Sequence, residues 1–280
     1  MASAFFFGEI GAGLFLVSLF FDFVPGLIAG VLLTAVGKTT GHMLHLGQPL
    51  RAWRAIVRLD RSWVSRGLLA IILFTGFGIA YILCLTDLTD LTFGLLPRGL
   101  APLYGAIAAA AAVVVMLYQG LAMSHSPAIA LWSSGLVPVI GLTYACLSGV
   151  SLMLALGHGT LLAGQPHAIA FLKAIEIGLM VYAFIMIACL MHAASYGSKG
   201  GQKSVAMLLR GHLAKWFVSL VLVVGFAVPG LVIAFGPDSV PAAVVTAVAV
   251  LMGYYTFRVL ILKAGVYDPI QDFSSEAGCR

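Results

Sequence analysis

The chain has 280 residues, 61% of them hydrophobic and only 9% charged, against roughly 25% charged in a soluble domain. That deficit excludes a water-facing globular enzyme and requires lipid over most of the outer surface. The net charge of +5 comes from basic residues between apolar runs, which speaks for orientation in a membrane and against nucleic-acid binding.

Apolar runs long enough to cross the hydrocarbon core follow one another along the chain. The first covers 4–21. No basic segment precedes it and no small-residue cleavage site follows, so it reads as a retained helix rather than a removed signal. Asp22-Phe23-Val24-Pro25 marks a tight turn, because a membrane helix resists both a carboxylate and a proline at that point. The second run covers 26–46. The others cover 67–85, 101–123, 135–156, 168–193, 213–235 and 240–262. The predicted fold is an all-α integral membrane protein with eight transmembrane helices, arranged as two four-helix bundles in a single membrane domain over 1–280.

An even number of spans puts both termini on one side, called side A, together with the loops after spans two, four and six. Every Lys and Arg then falls on side A, Lys38 and Arg258 included, except Arg98 on side B and Lys173 inside span six. The positive-inside rule makes side A cytoplasmic. Basic residues from Arg51 to Arg66 also suit an acidic partner or lipid headgroups. Side B loops are short and poor in charge, so a partner protein is expected on side A. Cys84, Cys146, Cys189 and Cys279 are scattered without a CxxC pair, so the chain is expected to hold no iron–sulfur cluster.

Ionisable groups within spans are functional candidates. Glu9 lies early in span one, near side A, where it either serves a site or snorkels to the interface. His42 and His45 share a face at the end of span two. His125, His192 and His212 lie at other side A helix ends, where meeting water or capping carbonyls is the simpler role. His158 and His167 read as solvated in a side B loop. Lys173 and Glu176 stand one turn apart in span six, either neutralising each other or lining a proton path.

The densest cluster is His42-Met43-Leu44-His45-Leu46-Gly47-Gln48-Pro49-Leu50-Arg51-Ala52-Trp53. Gly47 and Pro49 stop the helix just past His45 and leave its imidazole where membrane meets water. A quinone headgroup can exchange protons at that level, and imidazole titrates near neutrality. Gln48 or Arg51 can hydrogen-bond a quinone carbonyl and favour developing negative charge.

The run from His45 to Trp53, with Ser62-Trp63-Val64-Ser65-Arg66 after it, resembles the membrane anchor subunit of dimethyl sulfoxide reductase and, more widely, the polysulfide reductase (NrfD-type) membrane subunits. Tyr118-Gln119-Gly120, Ala130-Leu131-Trp132, and Arg258 with Ala264-Gly265 are weaker matches. Ser133 and Gln48 depart from residues common in the family. The resemblance implies a multi-pass subunit of the bacterial cytoplasmic (inner) membrane without haem or iron–sulfur cluster. It would pass electrons between menaquinol or ubiquinol and an iron–sulfur subunit that serves a molybdopterin catalytic subunit. It maps the quinone-site histidine onto His45 and a span-four tyrosine onto Tyr118. Glu9 and His42 are added from depth and side.

Two other classes remain open. A haem b cytochrome needs paired histidines from facing helices at one depth, and the histidines here lie mostly at helix ends. A secondary transporter is expected to show internal repeats, and Val228-Pro229-Gly230 in span seven has no counterpart.

Overall fold

Asp22 takes a left-handed backbone (φ 48°), a conformation its short polar side chain tolerates, and this turn separates the first two spans. Pro25 then occupies the first turn of the next helix, where its missing N–H removes no helical bond. The computed structural model describes residues 1–44, 46, 47, 49–86 and 96–268, with the backbone alone at 49, 50, 52 and 53. Among them are 8 helices long and apolar enough to cross a membrane. These are α1 (Ala2–Phe20), α2 (Val24–Met43), α3 (Trp63–Leu85), α4 (Arg98–Ser124), α5 (Leu136–Gly157), α6 (Pro166–Gly197), α7 (Ala214–Phe235) and α8 (Val240–Lys263). The multi-pass all-α membrane fold expected from the apolar runs is therefore present, with α6 longer at both ends than its apolar stretch.

α1 and α5 form the spine. The backbone of α1 at Gly13 lies so close to the Ala145 carbonyl of α5 that a β-carbon has no room. Small residues allow such approach where lipid supplies no hydrophobic drive between helices. One buried cluster joins Ala12 and Phe15 of α1 to Leu27, Phe74, Tyr104 and Ala145 on α2 to α5. Another joins Phe6 and Ile10 of α1 to Tyr144, Ile187, Val221 and Tyr254 on α5 to α8. Because α1 and α5 belong to both clusters, this packing does not establish the expected division into two four-helix bundles. Outward positions such as Phe20, Phe171, Leu231 and Phe235 are exposed and apolar, as lipid contact requires.

Two stretches depart from α-helical winding. α2 widens to a π-helical turn over Leu33–Lys38, and α7 does so over Phe217–Ala227. Such insertions rotate the residues beyond them and often mark functional positions. In α2 the widened turn ends on Lys38, which is fully buried.

On side A, Ser62 caps α3, accepting from the Ser65 amide at 3.3 Å. Arg66 donates to the carbonyls of Leu59 (2.9 Å) and Asp60 (2.8 Å), fastening the preceding loop to α3. Asp268 accepts from Ser198 Oγ at 2.6 Å and from the Gly200 amide at 2.8 Å, which binds the segment after α8 to the start of the helix Lys199–Leu209.

Candidate functional site

One to two helical turns inside the side A ends, four helices bring polar and ionisable groups into the interior. α1 contributes Glu9, α2 Lys38, α4 Tyr118 and Gln119, and α8 Tyr254 and Arg258. Glu9, Lys38 and Gln119 are fully buried and Arg258 is 1% exposed. α5 contributes space: a β-carbon on Gly141 would stand 2.6 Å from Arg258 Nη2 and 2.9 Å from Glu9 Oε1.

Arg258 clamps Glu9 with both arms of its fork. Its Nε donates to Glu9 Oε2 at 3.0 Å, and its Nη2 donates to Oε1. Tyr254, one turn earlier on α8, donates its hydroxyl to the same carboxylate. Tyr144 of α5 stacks on the Tyr254 ring with centroids 4.3 Å apart. Taking two charges out of water is costly, and two-point pairing with a further donor is the geometry that offsets it. Glu9 therefore does not snorkel to the interface.

Lys38 carries a second cation into this interior. Its ammonium donates to the Ala4 carbonyl at 3.4 Å and stands 4.8 Å from the centre of the Tyr118 ring. With the Gln119 amide turned so that its oxygen meets the ammonium, that contact is 2.7 Å and the amide nitrogen donates to the Phe5 carbonyl at 3.3 Å. Carbonyl oxygens and a ring face are what a buried ammonium needs. Lys38 also lies against α1 at Gly8, beside Glu9, where a β-carbon would stand 2.6 Å from its nitrogen. Lys38 and Arg258 thus set two basic groups against one carboxylate, a composition that favours an electron-rich oxygen.

Of the residues expected at the site, Glu9 and Tyr118 meet in this cluster. Tyr118 lies flat against Gly67 of α3, where a β-carbon would strike the ring. His42 borders the cluster, its ring edge-on to Phe5 at 6.4 Å. Arg51 is exposed on the short helix Pro49–Val57 and does not join it. His45 and Gln48 lie outside the described residues. Lys38 and Arg258, read from the sequence as orienting loop charges, are instead buried members of the site. The signals for them were position: each lies five residues inside the side A end of its helix, at the depth of Glu9.

His125 Nδ1 lies 2.9 Å from the Leu121 carbonyl, a cap at the end of α4. His192 packs on Tyr196, and His167 and His212 are exposed. Near side B, Lys173 and Glu176 do not neutralise each other by direct contact. Lys173 pairs with Asp238, because its long stem reaches toward the side B loop. Asp238 is thereby held below the usual carboxylate range, first by the hydrogen bond from Lys173 and then by its charge. Glu176 faces α5 and accepts from Ser151. His158, expected to be solvated, lines a narrow side B crevice with both of them.

No curated protein matches the chain. Comparison with protein families matches residues 1–268 to the family described as Polysulphide reductase, NrfD. The match runs through all eight helices and takes in the residues of the buried cluster. The chain belongs to the NrfD family, and is thus a multi-pass membrane subunit of the kind found in quinone-linked oxidoreductases.

Proposed function

We propose that this chain is the quinone-reactive membrane anchor of a multi-subunit oxidoreductase in the bacterial cytoplasmic membrane. The observation that carries the reading is the buried side A cluster, where Lys38 and Arg258 outnumber Glu9 beside Tyr118. A bound quinone supplies a couple of two electrons and two protons. Lys38 keeps positive charge at the Tyr118 ring and can donate to a carbonyl oxygen. Tyr118 offers a hydroxyl whose ring is fixed by Gly67. His42, half-buried at the end of α2, is placed to pass protons to side A water, and His45 and Gln48 follow on the same connection. Glu9, held by three donors, acts as counter-charge to Arg258 rather than as a mobile proton carrier.

Partners follow from the family, whose members generally work with iron–sulfur and catalytic subunits. Side A offers the docking face, with Arg51, Arg54 and Arg58 exposed, and the electrons leave there to an iron–sulfur subunit serving a molybdopterin enzyme. The termini are then cytoplasmic.

The test is affinity purification in mild detergent, with identification of co-purifying subunits, metal analysis and quinol turnover. The expected result is iron–sulfur and molybdenum-containing partners, no haem Soret band, and turnover lowered at least tenfold by Tyr118→Phe and His45→Ala at unchanged thermal stability. A lone chain, a Soret band, or normal turnover in both variants would overturn the proposal.

A further inference from the structure

The connection from Pro49 to Arg66 carries five arginines and one acid, Asp60, and the fold sorts them. Arg61 pairs with Asp60 at 3.2 Å. Arg66 is drawn back to the Leu59 and Asp60 carbonyls, and its guanidinium stands 4.6 Å from the centre of the Trp63 ring. Arg54 and Arg58 instead line an open groove of about 490 Å³ with Val57, Ser62, Val64 and Ser65, a volume in the range of ligand clefts. The groove is preformed. Ser65 is buried and donates its hydroxyl to the Ala55 carbonyl, which fastens the helix Pro49–Val57 against the start of α3.

This groove joins charge to hydrocarbon. The helix Pro49–Val57 winds with three residues per turn, so Arg51, Arg54 and Val57 stand in one row along it. Both arginines are exposed, and Val57 is 68% exposed. Across the groove Val64 is 55% exposed. It begins a face of α3 that continues through Leu68, Ile72, Gly76 and Ile79, positions three or four residues apart. Ile72, Gly76 and Ile79 are exposed, and the space beside Gly76 is open. From Val64 to Ile79 this face runs about 22 Å, longer than one leaflet of the hydrocarbon core. Trp63 at the head of α3 sets the level, since tryptophan in membrane proteins gathers where headgroups meet hydrocarbon.

A partner protein in water can meet the arginines but has nothing to lay along α3 at membrane depth. A molecule that carries an anion directly above an acyl chain matches both parts. We propose that this groove binds one anionic phospholipid, its phosphate held between Arg54 and Arg58 and an acyl chain laid along the Val64–Ile79 face of α3. Guanidinium groups take phosphate oxygens two at a time. Two of them against one phosphate select a headgroup of net negative charge over a zwitterionic one, whose ammonium they repel. Arg51, two turns of its helix from Val57, stays with the docking face, and the lipid closes that face on its bilayer edge. The lipid site stands apart from the quinone cluster and does not depend on it.

The test is native mass spectrometry of the purified full chain in detergent. It is titrated with phosphatidylglycerol, with phosphatidylcholine of the same acyl chains, and with glycerol phosphate, which has the anion without the chains. Wild type is expected to retain one phosphatidylglycerol at least tenfold more tightly than phosphatidylcholine, and no glycerol phosphate. Arg54→Gln combined with Arg58→Gln is expected to lower phosphatidylglycerol affinity at least tenfold. Gly76→Leu, which fills the open space on α3, is expected to lower it several-fold, and neither change is expected to lower the melting temperature. Arg61→Gln, whose guanidinium is paired with Asp60, is expected to change affinity less than twofold. Equal retention of the two lipids, or undiminished phosphatidylglycerol affinity in the double variant or in Gly76→Leu, would overturn the site. Glycerol phosphate held as tightly as the lipid would make it a free-anion site and overturn it too. If the double variant loses co-purifying subunits while its lipid affinity is unchanged, the groove is a protein interface and the lipid proposal fails.

Discussion

Among the described residues two carboxylates are buried, and they are held in opposite ways. Glu9 receives a guanidinium fork and a phenol, all fixed by helix packing. Glu176 receives one serine hydroxyl and faces a crevice. A charge locked by a charge belongs to the fold, because removing either partner strands the other in low dielectric. A carboxyl held by a neutral donor can gain or lose a proton with its bond retained. The side A pair is thus architecture as much as chemistry, whereas the side B carboxyl is bonded by a neutral donor alone.

The sharpest way to break this contrast is Arg258→Met. Leaving Glu9 unpaired is expected to destabilise the protein by about 3–5 kcal/mol, read as a lowered melting temperature in detergent. Adding Glu9→Gln to the same chain is expected to restore most of the loss, since no charge is then left stranded. Next in size is Gly67→Ala, whose methyl group displaces the Tyr118 ring. Overpacking of this kind is expected to cost about 1–3 kcal/mol and to lower quinol turnover in step. Glu176→Gln is expected to change stability by less than about 1 kcal/mol, because the amide oxygen still accepts from Ser151. A loss comparable to that of Arg258→Met would erase the distinction between the two carboxylates.

Smallest is the Lys173–Asp238 pair at the crevice mouth, where Asp238 is largely exposed. Such pairs contribute at most about 1 kcal/mol. Since the Asp238 carboxyl lies below its ordinary range in the fold, its contribution is present above that range. It is lost as pH falls through the lowered value. The melting-temperature difference between wild type and Asp238→Asn is therefore expected to be greatest near neutrality and to close in acid.

The sequence reading located the helices well and the site in part, for physical reasons. Span length and the Asp22 turn are local properties, written in hydropathy and backbone preference. Glu9 was conspicuous as a lone carboxylate at membrane depth. Lys38 and Arg258 were not, because basic residues near helix ends ordinarily face headgroups. The π-helical turn at Leu33–Lys38 shifts the period that a 3.6-residue pattern assumes, so the inward aim of Lys38 was not legible. Lys173 and Glu176 looked like partners by spacing, yet the longer reach of lysine found Asp238. The tie between Glu9 and Arg258 joins residues 249 apart, beyond any local pattern.

That separation has a consequence for how the protein is made. At synthesis rates of about 5–20 residues per second, the interval between Glu9 and Arg258 leaving the ribosome is on the order of 10–50 s. Throughout it, α1 must dwell at the translocon or in lipid without its guanidinium, and Lys38 is the first cation synthesised that can accompany Glu9. Insertion of the first helix is completed only by arrival of the last, so a chain stalled before α8 carries an unmatched acid in its oldest segment. Such a chain offers membrane quality control a direct mark of incomplete assembly.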